Sequence, residues 1–221
     1  RFRTLMACHV ALERAASARP LLRLRSRPRR VVLVGNPNVG KSVLFGRLTG
    51  RYATVSNYPG TTVGVTRGRA LIEAEVFDLV DSPGVNALEG VLSEDEQVTR
   101  RLLEDGEADL VVQVADTRNL RRALMLTAQL APLGLPMVLV LNMMDESKRH
   151  GVDVEAARLS GELGIPVIEA VATEGVGLAE LRSSLALASP VQVGSAGAAD
   201  PARWAHETAE RLRRLRPSSA G

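Results

Sequence analysis

Five short apolar runs, rich in β-branched residues and separated by stretches long enough for a helix, limit what this chain of 221 residues can fold into. They are VVLV at 31–34, VFDLVD at 76–81, DLVVQVAD at 109–116, PMVLVLN at 136–142 and IPVIEAV at 165–171. A strand that is apolar on both faces must be covered on both, and parallel neighbours need crossovers of about a dozen residues or more. The pattern therefore predicts an α/β fold in three layers, a mostly parallel sheet with helices on both faces. Helices are expected over 42–48, 93–104, 118–133, 153–163 and 177–187. The segment RYATVSNYPGTTVGVTRGRA at 51–70 is polar and glycine-rich at its start and strand-like at its end. It reads as a mobile loop feeding one more strand, which could run antiparallel.

Directly after the first run comes GNPNVGKS at 35–42, which fits G-x-x-x-x-G-K-[ST] between a strand and a helix. Gly35 and Gly40 let the loop turn its N–H groups inward, and the next helix points its positive end at the same place. Lys41 sets a cation at the β and γ phosphates of a nucleotide, and Ser42 supplies a hydroxyl ligand for Mg²⁺. Asn36, Pro37, Asn38 and Val39 complete the cradle, and Val43 lies in the first helical turn beyond it.

A phosphate cradle does not choose between ATP and GTP. Asp81, Ser82, Pro83 and Gly84 follow the second run as D-x-x-G, with Asp81 able to reach Mg²⁺ through water and the Gly84 N–H able to bind a γ-phosphate. Asn142, Met143 and Asp145 belong to NMMD at the end of the fourth run. The Asp145 carboxylate can accept from guanine N1–H and its 2-amino group, and adenine would leave it unpaired. Asn142 would brace the loop. Gly60, Thr61 and Thr62, in NYPGTT, lie between the cradle and DSPG. A threonine there completes the Mg²⁺ shell only when a γ-phosphate is present, so loop order would follow the nucleotide. Many GTPases place a glutamine just after D-x-x-G to hold the attacking water. Here that position is Val85, which predicts slow intrinsic turnover.

Charge is divided unevenly. Residues 1–30 carry nine Arg against Glu13, and the tail from 200 carries five Arg against three acids. Between 31 and 199 stand 14 basic and 21 acidic residues, so nothing argues for a nucleic-acid-binding body. The domain organisation read from this is a basic extension at 1–29 (an amphipathic helix and an Arg-rich linker), a nucleotide-binding domain at 30–188, and a flexible linker with a terminal helix at 189–221. The single cysteine, Cys8, has no internal partner, and Cys8 with His9 finds no companion metal ligands nearby. No apolar run reaches the roughly 18 residues needed to span a bilayer, so the chain as given is expected to be soluble.

From Arg30 to about Leu185 the sequence resembles the GTP-binding domain of the ferrous-iron transport protein B family. The order GNPNVGKS, YPGTT, DSPG and NMMD is shared by many translation-factor-class GTPases. NYPGTTV, SEDEQV and the unbroken DTRNLRRALMLTAQLAPLGLPMVLVLNMMDESKRHG carry the more specific likeness. The resemblance implies a GTP-hydrolysing switch on the cytoplasmic side of a bacterial inner membrane, serving a membrane transporter domain, in this chain or another, that imports Fe²⁺. It gives catalytic roles to Lys41, Thr62, Gly84 and Asn38, with Mg²⁺ on Ser42, Thr62 and Asp81. Asn38 matches an asparagine associated with K⁺ activation, and K⁺ would supply the charge that Val85 leaves missing. The guanine-contacting loop aligns with Val171 and Ala172, of which only the Ala172 backbone N–H carries over.

Three readings stay open at this level. The chain is an iron-uptake switch, or a soluble Era-like GTPase of ribosome assembly or RNA modification touching RNA through its Arg-rich arm, or a nucleotide-binding module with negligible hydrolysis. Whether it is a fragment or a stand-alone protein, and whether it forms an oligomer, is equally open.

Overall fold

The computed structural model describes residues 27–50 and 53–215. The expected N-terminal helix, with Cys8 and His9, lies outside them.

Strand β1 (Arg29–Val34) sits inside the sheet, parallel on one side to β4 (Glu75–Asp81) and on the other to β5 (Leu110–Asp116). β6 (Pro136–Asn142) follows parallel to β5, and β8 (Val167–Glu169) parallel to β6. Beyond β4 the direction reverses: β3 (Gly64–Ile72) and the edge strand β2 (Ala53–Asn57) are antiparallel. The order is β2-β3-β4-β1-β5-β6-β8, with β9 (Ser189–Pro190) antiparallel to the start of β6.

Alternation along each strand divides the core. Val32 and Val34 of β1 face the same side as Val80, Val111 and Leu139, and all are buried under α2 (Glu94–Glu104), α3 (Leu120–Leu130), α5 (Ala156–Leu163) and α8 (Pro201–Leu212). Val31 and Leu33 face the opposite side with Leu79, Val112 and Val140, under α1 (Lys41–Thr49) and α6 (Leu178–Ser184). All four residues of VVLV are fully buried. Each contributes about 1.5–3 kcal/mol, which is why that strand holds the loop after it rigidly in place.

Several segments differ from expectation, each for a local reason. The segment 51–70 is not a loop over most of its length. Asn57 pairs with Gly64, Tyr58 N–H donates to Val63 O (2.8 Å), and Thr61 N–H closes the Tyr58–Thr61 turn onto Tyr58 O (3.0 Å), so β2 and β3 form a hairpin with Pro59 and Gly60 at its tip. The helix expected over 118–133 begins and ends in single 3₁₀ turns, at Thr117–Asn119 and Ala131–Leu133. Residues 152–154 form a short strand, β7 (Val152–Val154), before α5 begins at Ala156, because Val152 and Val154 both turn inward. A helix not expected from periodicity, α4 (Met144–Arg149), follows β6 directly.

The stretch read as a flexible linker holds β9 and a short helix, α7 (Gly194–Ala199). Asp200 then caps α8, its carboxylate accepting from Arg203 N–H at 3.0 Å, with Pro201 in the first helical position. Ala205, Ala209 and Leu212 of α8 are buried in the same cluster as Leu120 and Leu124 of α3. The chain then pairs β10 (Arg213–Leu215) antiparallel with β7. Among the described residues no helix is long and apolar enough to cross a membrane.

Candidate nucleotide site

Because β1, β4, β5, β6 and β8 are parallel, their C-terminal ends share one sheet edge, where open α/β folds bind ligands. The 35–42 loop leaves β1 there, Asp81 ends β4, Asp116 ends β5 and Asn142 ends β6.

The loop after β1 and the DSPG segment are joined. Ser82 donates its N–H and hydroxyl to Leu33 O (3.2 and 2.8 Å), Val85 N–H donates to Gly35 O (3.0 Å), and Asn36 Nδ2 returns to Val85 O (2.9 Å). A Cβ on Gly84 would come within 3.0 Å of the Pro37 backbone, so a glycine is what lets the two segments close. The Val85 side chain is fully buried, pointing away from solvent.

Asn142 makes the second junction. Its Nδ2 donates to Val39 O (2.8 Å) and its Oδ1 accepts from Ala172 N–H (2.9 Å), tying the phosphate loop to the 171–172 segment. Gly40 faces it with φ +88°, and a Cβ there would lie 2.4 Å from Nδ2, so this glycine is required twice over. Ala172 N–H, expected to contact guanine, donates here to Asn142 Oδ1, a buried amide oxygen that needs a donor. Val171 and Ala172 are themselves buried.

Lys41 and Asp81 are both buried, 8% and 9% exposed. Burial pushes the Lys41 ammonium below the usual lysine range, and the Asp81 charge restores only part of that. Burial likewise raises the Asp81 carboxyl, opposed by the Ser42 hydroxyl and Lys41. Asp81 Oδ1 is buried without a hydrogen-bond partner among the described residues. An orphaned carboxylate oxygen beside a serine hydroxyl is a hard, oxygen-only donor set, and it fits Mg²⁺.

Thr62 is elsewhere. Its N–H and hydroxyl go to the Glu94 carboxylate, while Thr61 caps its own turn on Tyr58 O (3.0 Å). Gly60 is exposed at the hairpin tip. The 35–42 loop and DSPG are thus assembled, whereas Thr62 is bonded to the N-terminal turn of α2. Ser42, Val43, Pro37 and Asn38 are exposed at the cradle, and Asn38 has φ +63°.

Met143 (φ +62°) turns the chain between β6 and α4, and Met144 N–H donates to Ala170 O (3.2 Å). Asp145, in the first turn of α4, pairs with Arg149 one turn on. Two supports of this loop were not anticipated. Thr117, fully buried, donates to Asn142 O at 2.6 Å. Arg118 holds Asp116 (2.9 Å), Glu146 and Met143 Sδ (3.4 Å). Burial alone would raise the Asp116 carboxyl, but the Arg118 bonds outweigh it and hold it below the carboxylate range. The signal available was the TR of DTRN, polar residues at the end of a buried strand beside the NMMD loop.

A mostly parallel sheet with a phosphate cradle, an aspartate with one unpaired buried oxygen among the described residues and an N-x-x-D loop on one edge defines a P-loop GTPase fold. Residues 29–185 match the family model described as Ferrous iron transport protein B, and the chain belongs to that family. It is 37% identical over 172 residues to the Fe(2+) transporter FeoB of Synechocystis sp., covering 78% of this chain and 27% of that one. Its structure resembles the cytosolic domain of L. pneumophila FeoB, with TM-score 0.71 and 36% identity, covering 74% of this chain and 71% of that one. The cytosolic domain of the T. maritima FeoB iron transporter in its GMPPNP form gives TM-score 0.69 at 36% identity, covering 72% and 63%. The chain thus spans about a quarter of the length of that Synechocystis relative.

Proposed function

We propose that this domain binds GTP and GDP at the 35–42 loop and hydrolyses GTP slowly, as the switch of a longer ferrous-iron transporter on the cytoplasmic side of a bacterial inner membrane. The observation carrying the nucleotide reading is the double joint at the site, Gly35 and Asn36 joining the cradle to Val85 just after DSPG and Asn142 joining it to the 171–172 segment. A structural relative was crystallised with GMPPNP, which supports the same ligand class here. Iron is cargo of the whole transporter in this reading, not a resident of this domain.

Ser42 and Asp81 would hold Mg²⁺, with Thr62 joining them when the first switch closes. Mg²⁺ there neutralises charge on the β- and γ-phosphates. Lys41 supplies a buried cation to the same oxygens, and the Gly84 N–H meets the γ-phosphate. Val85 brings no polar group for water, so added charge must come from elsewhere. Asn38 is exposed, and its side chain makes no hydrogen bond among the described residues, which suits a K⁺ ligand.

The test is a base swap. Asp145→Asn should weaken GTP about a hundredfold or more, the loss of two hydrogen bonds to a charged group, and should gain xanthosine triphosphate. Unchanged GTP affinity would remove Asp145 from base recognition and with it the guanine reading.

A further inference from the structure

A groove of about 530 Å³ runs between the start of α3 and the outer face of α8. Arg118, Arg121 and Arg122 line one wall and His206 the other, over an apolar floor that includes Met125 and Ala209; Glu210 is the one carboxylate in the lining. The groove stands out because the body of the chain between 31 and 199 is acidic, with 21 acids against 14 basic residues.

Its arginines are not equivalent. Arg121 is exposed and makes no hydrogen bond or ion pair among the described residues. Arg118 holds the Asp116 carboxylate (2.9 Å) and reaches on to Glu146 and Met143 of the loop that would read the base. Arg122 reaches the Asn86 side chain, two residues beyond DSPG. Asn86 N–H and Ala87 N–H are in turn bound by the Glu96 carboxylate at 3.0 and 3.2 Å. One groove therefore touches both the loop that would read the base and the segment that would sense the γ-phosphate, through one arginine each. A planar guanidinium binds carboxylate in pairs of parallel bonds, so an incoming carboxylate competes with Asp116 and Glu146 for Arg118 and with the Asn86 amide oxygen for Arg122.

We propose that this groove docks an acidic polypeptide segment of a regulatory partner, which captures Arg121 first and then draws Arg118 and Arg122 from their internal bonds, speeding nucleotide release. The inference rests on the guanine-nucleotide reading for its consequence, and on the groove alone for binding. A concave slot with an apolar floor takes an inserted chain with carboxylates and apolar flanks, and a flat membrane surface could not reach that floor.

The test uses the full chain and a short synthetic peptide rich in glutamate and leucine. Binding is read by fluorescence anisotropy without nucleotide, and release is read with fluorescent GDP. The peptide should bind, Arg121→Glu should weaken it about tenfold while leaving GDP release without peptide unchanged, and saturating peptide should speed release from the wild-type chain several-fold. His206→Glu, on the opposite wall, should weaken the peptide too. Binding that neither substitution alters overturns the groove, as does absence of binding at low ionic strength. If anionic vesicles bind in an Arg121-dependent way and the peptide does not, the occupant is lipid and the proposal fails. If the chain holds no GDP at all, the nucleotide reading fails, and anisotropy still decides the groove. If the peptide binds but release is unchanged, the coupling through Arg118 and Arg122 is refuted.

Discussion

Thr62 donates both its backbone N–H and its hydroxyl to the Glu94 carboxylate, each at 3.4 Å. The threonine read as a metal ligand of the first switch is thereby attached to the first turn of α2, directly downstream of the second. The two long contacts lie at the surface, so they are worth little individually. Their effect is on the balance between two loop positions, where a small free energy is enough.

Glu94→Ala should therefore raise the affinity for a GTP analogue relative to GDP by about two- to fivefold, since only the triphosphate state needs Thr62 released. Competition against a fluorescent nucleotide measures the ratio. An unchanged ratio would mean that the Glu94 contact does not restrain the switch.

Asn142 is the most exacting position in the site. Asn142→Ala would strand Val39 O and Ala172 N–H, both in buried surroundings, at about 1–3 kcal/mol for each unsatisfied group. Denaturant unfolding should register the loss, and nucleotide affinity should fall with it. Stability within error of the wild type would show that neither junction matters to the fold.

Glu96 gives a pH signature. Its carboxylate accepts from Ser93 N–H, and also from the Ser93 hydroxyl and the N–H groups of Asn86 and Ala87, which hold its pKa at about 2 against an ordinary 4.5. A depressed carboxylate stabilises the fold fully above 4.5, and that stability is lost as pH falls toward about 2. Glu96→Gln should flatten the decline of unfolding midpoint across that window while lowering stability at neutral pH. Parallel pH profiles for the two chains would count against it.

If Asn38 holds K⁺, single-turnover GTP cleavage should be faster in KCl than in NaCl, and Asn38→Ala should abolish the difference. Equal rates in the two salts, or a K⁺ response that survives the substitution, would separate Asn38 from any such ion.

Much of this was legible along the chain. The five apolar runs became β1, β4, β5, β6 and β8, because strands buried on both faces carry their signal in every residue. The phosphate, DSPG and NMMD motifs emerged on one edge for the same reason: a parallel sheet sends all its strand ends the same way. Less legible were pieces held by distant partners. β7 exists as part of a pair with β10, and the supposed linker is ordered because Ser189 and Pro190 find the start of β6. NYPGTT marks Thr62 as a candidate switch residue, but its attachment to Glu94, 32 positions away, has no local signature.

The sequence by itself determined the parallel body of the sheet and the chemical types brought to its edge, since periodicity and strand–loop–helix spacing are local properties. Only the tertiary structure decided how those groups are held. Asn142 spends its amide on Val39 and Ala172, Asp81 keeps a buried oxygen unpaired, and Arg118 and Arg122 reach from one groove into two loops. The Asn142, Arg118 and Arg122 contacts are pairings between residues far apart in the chain, and a buried polar group takes its partner, or is left without one, according to what the fold brings within hydrogen-bond reach.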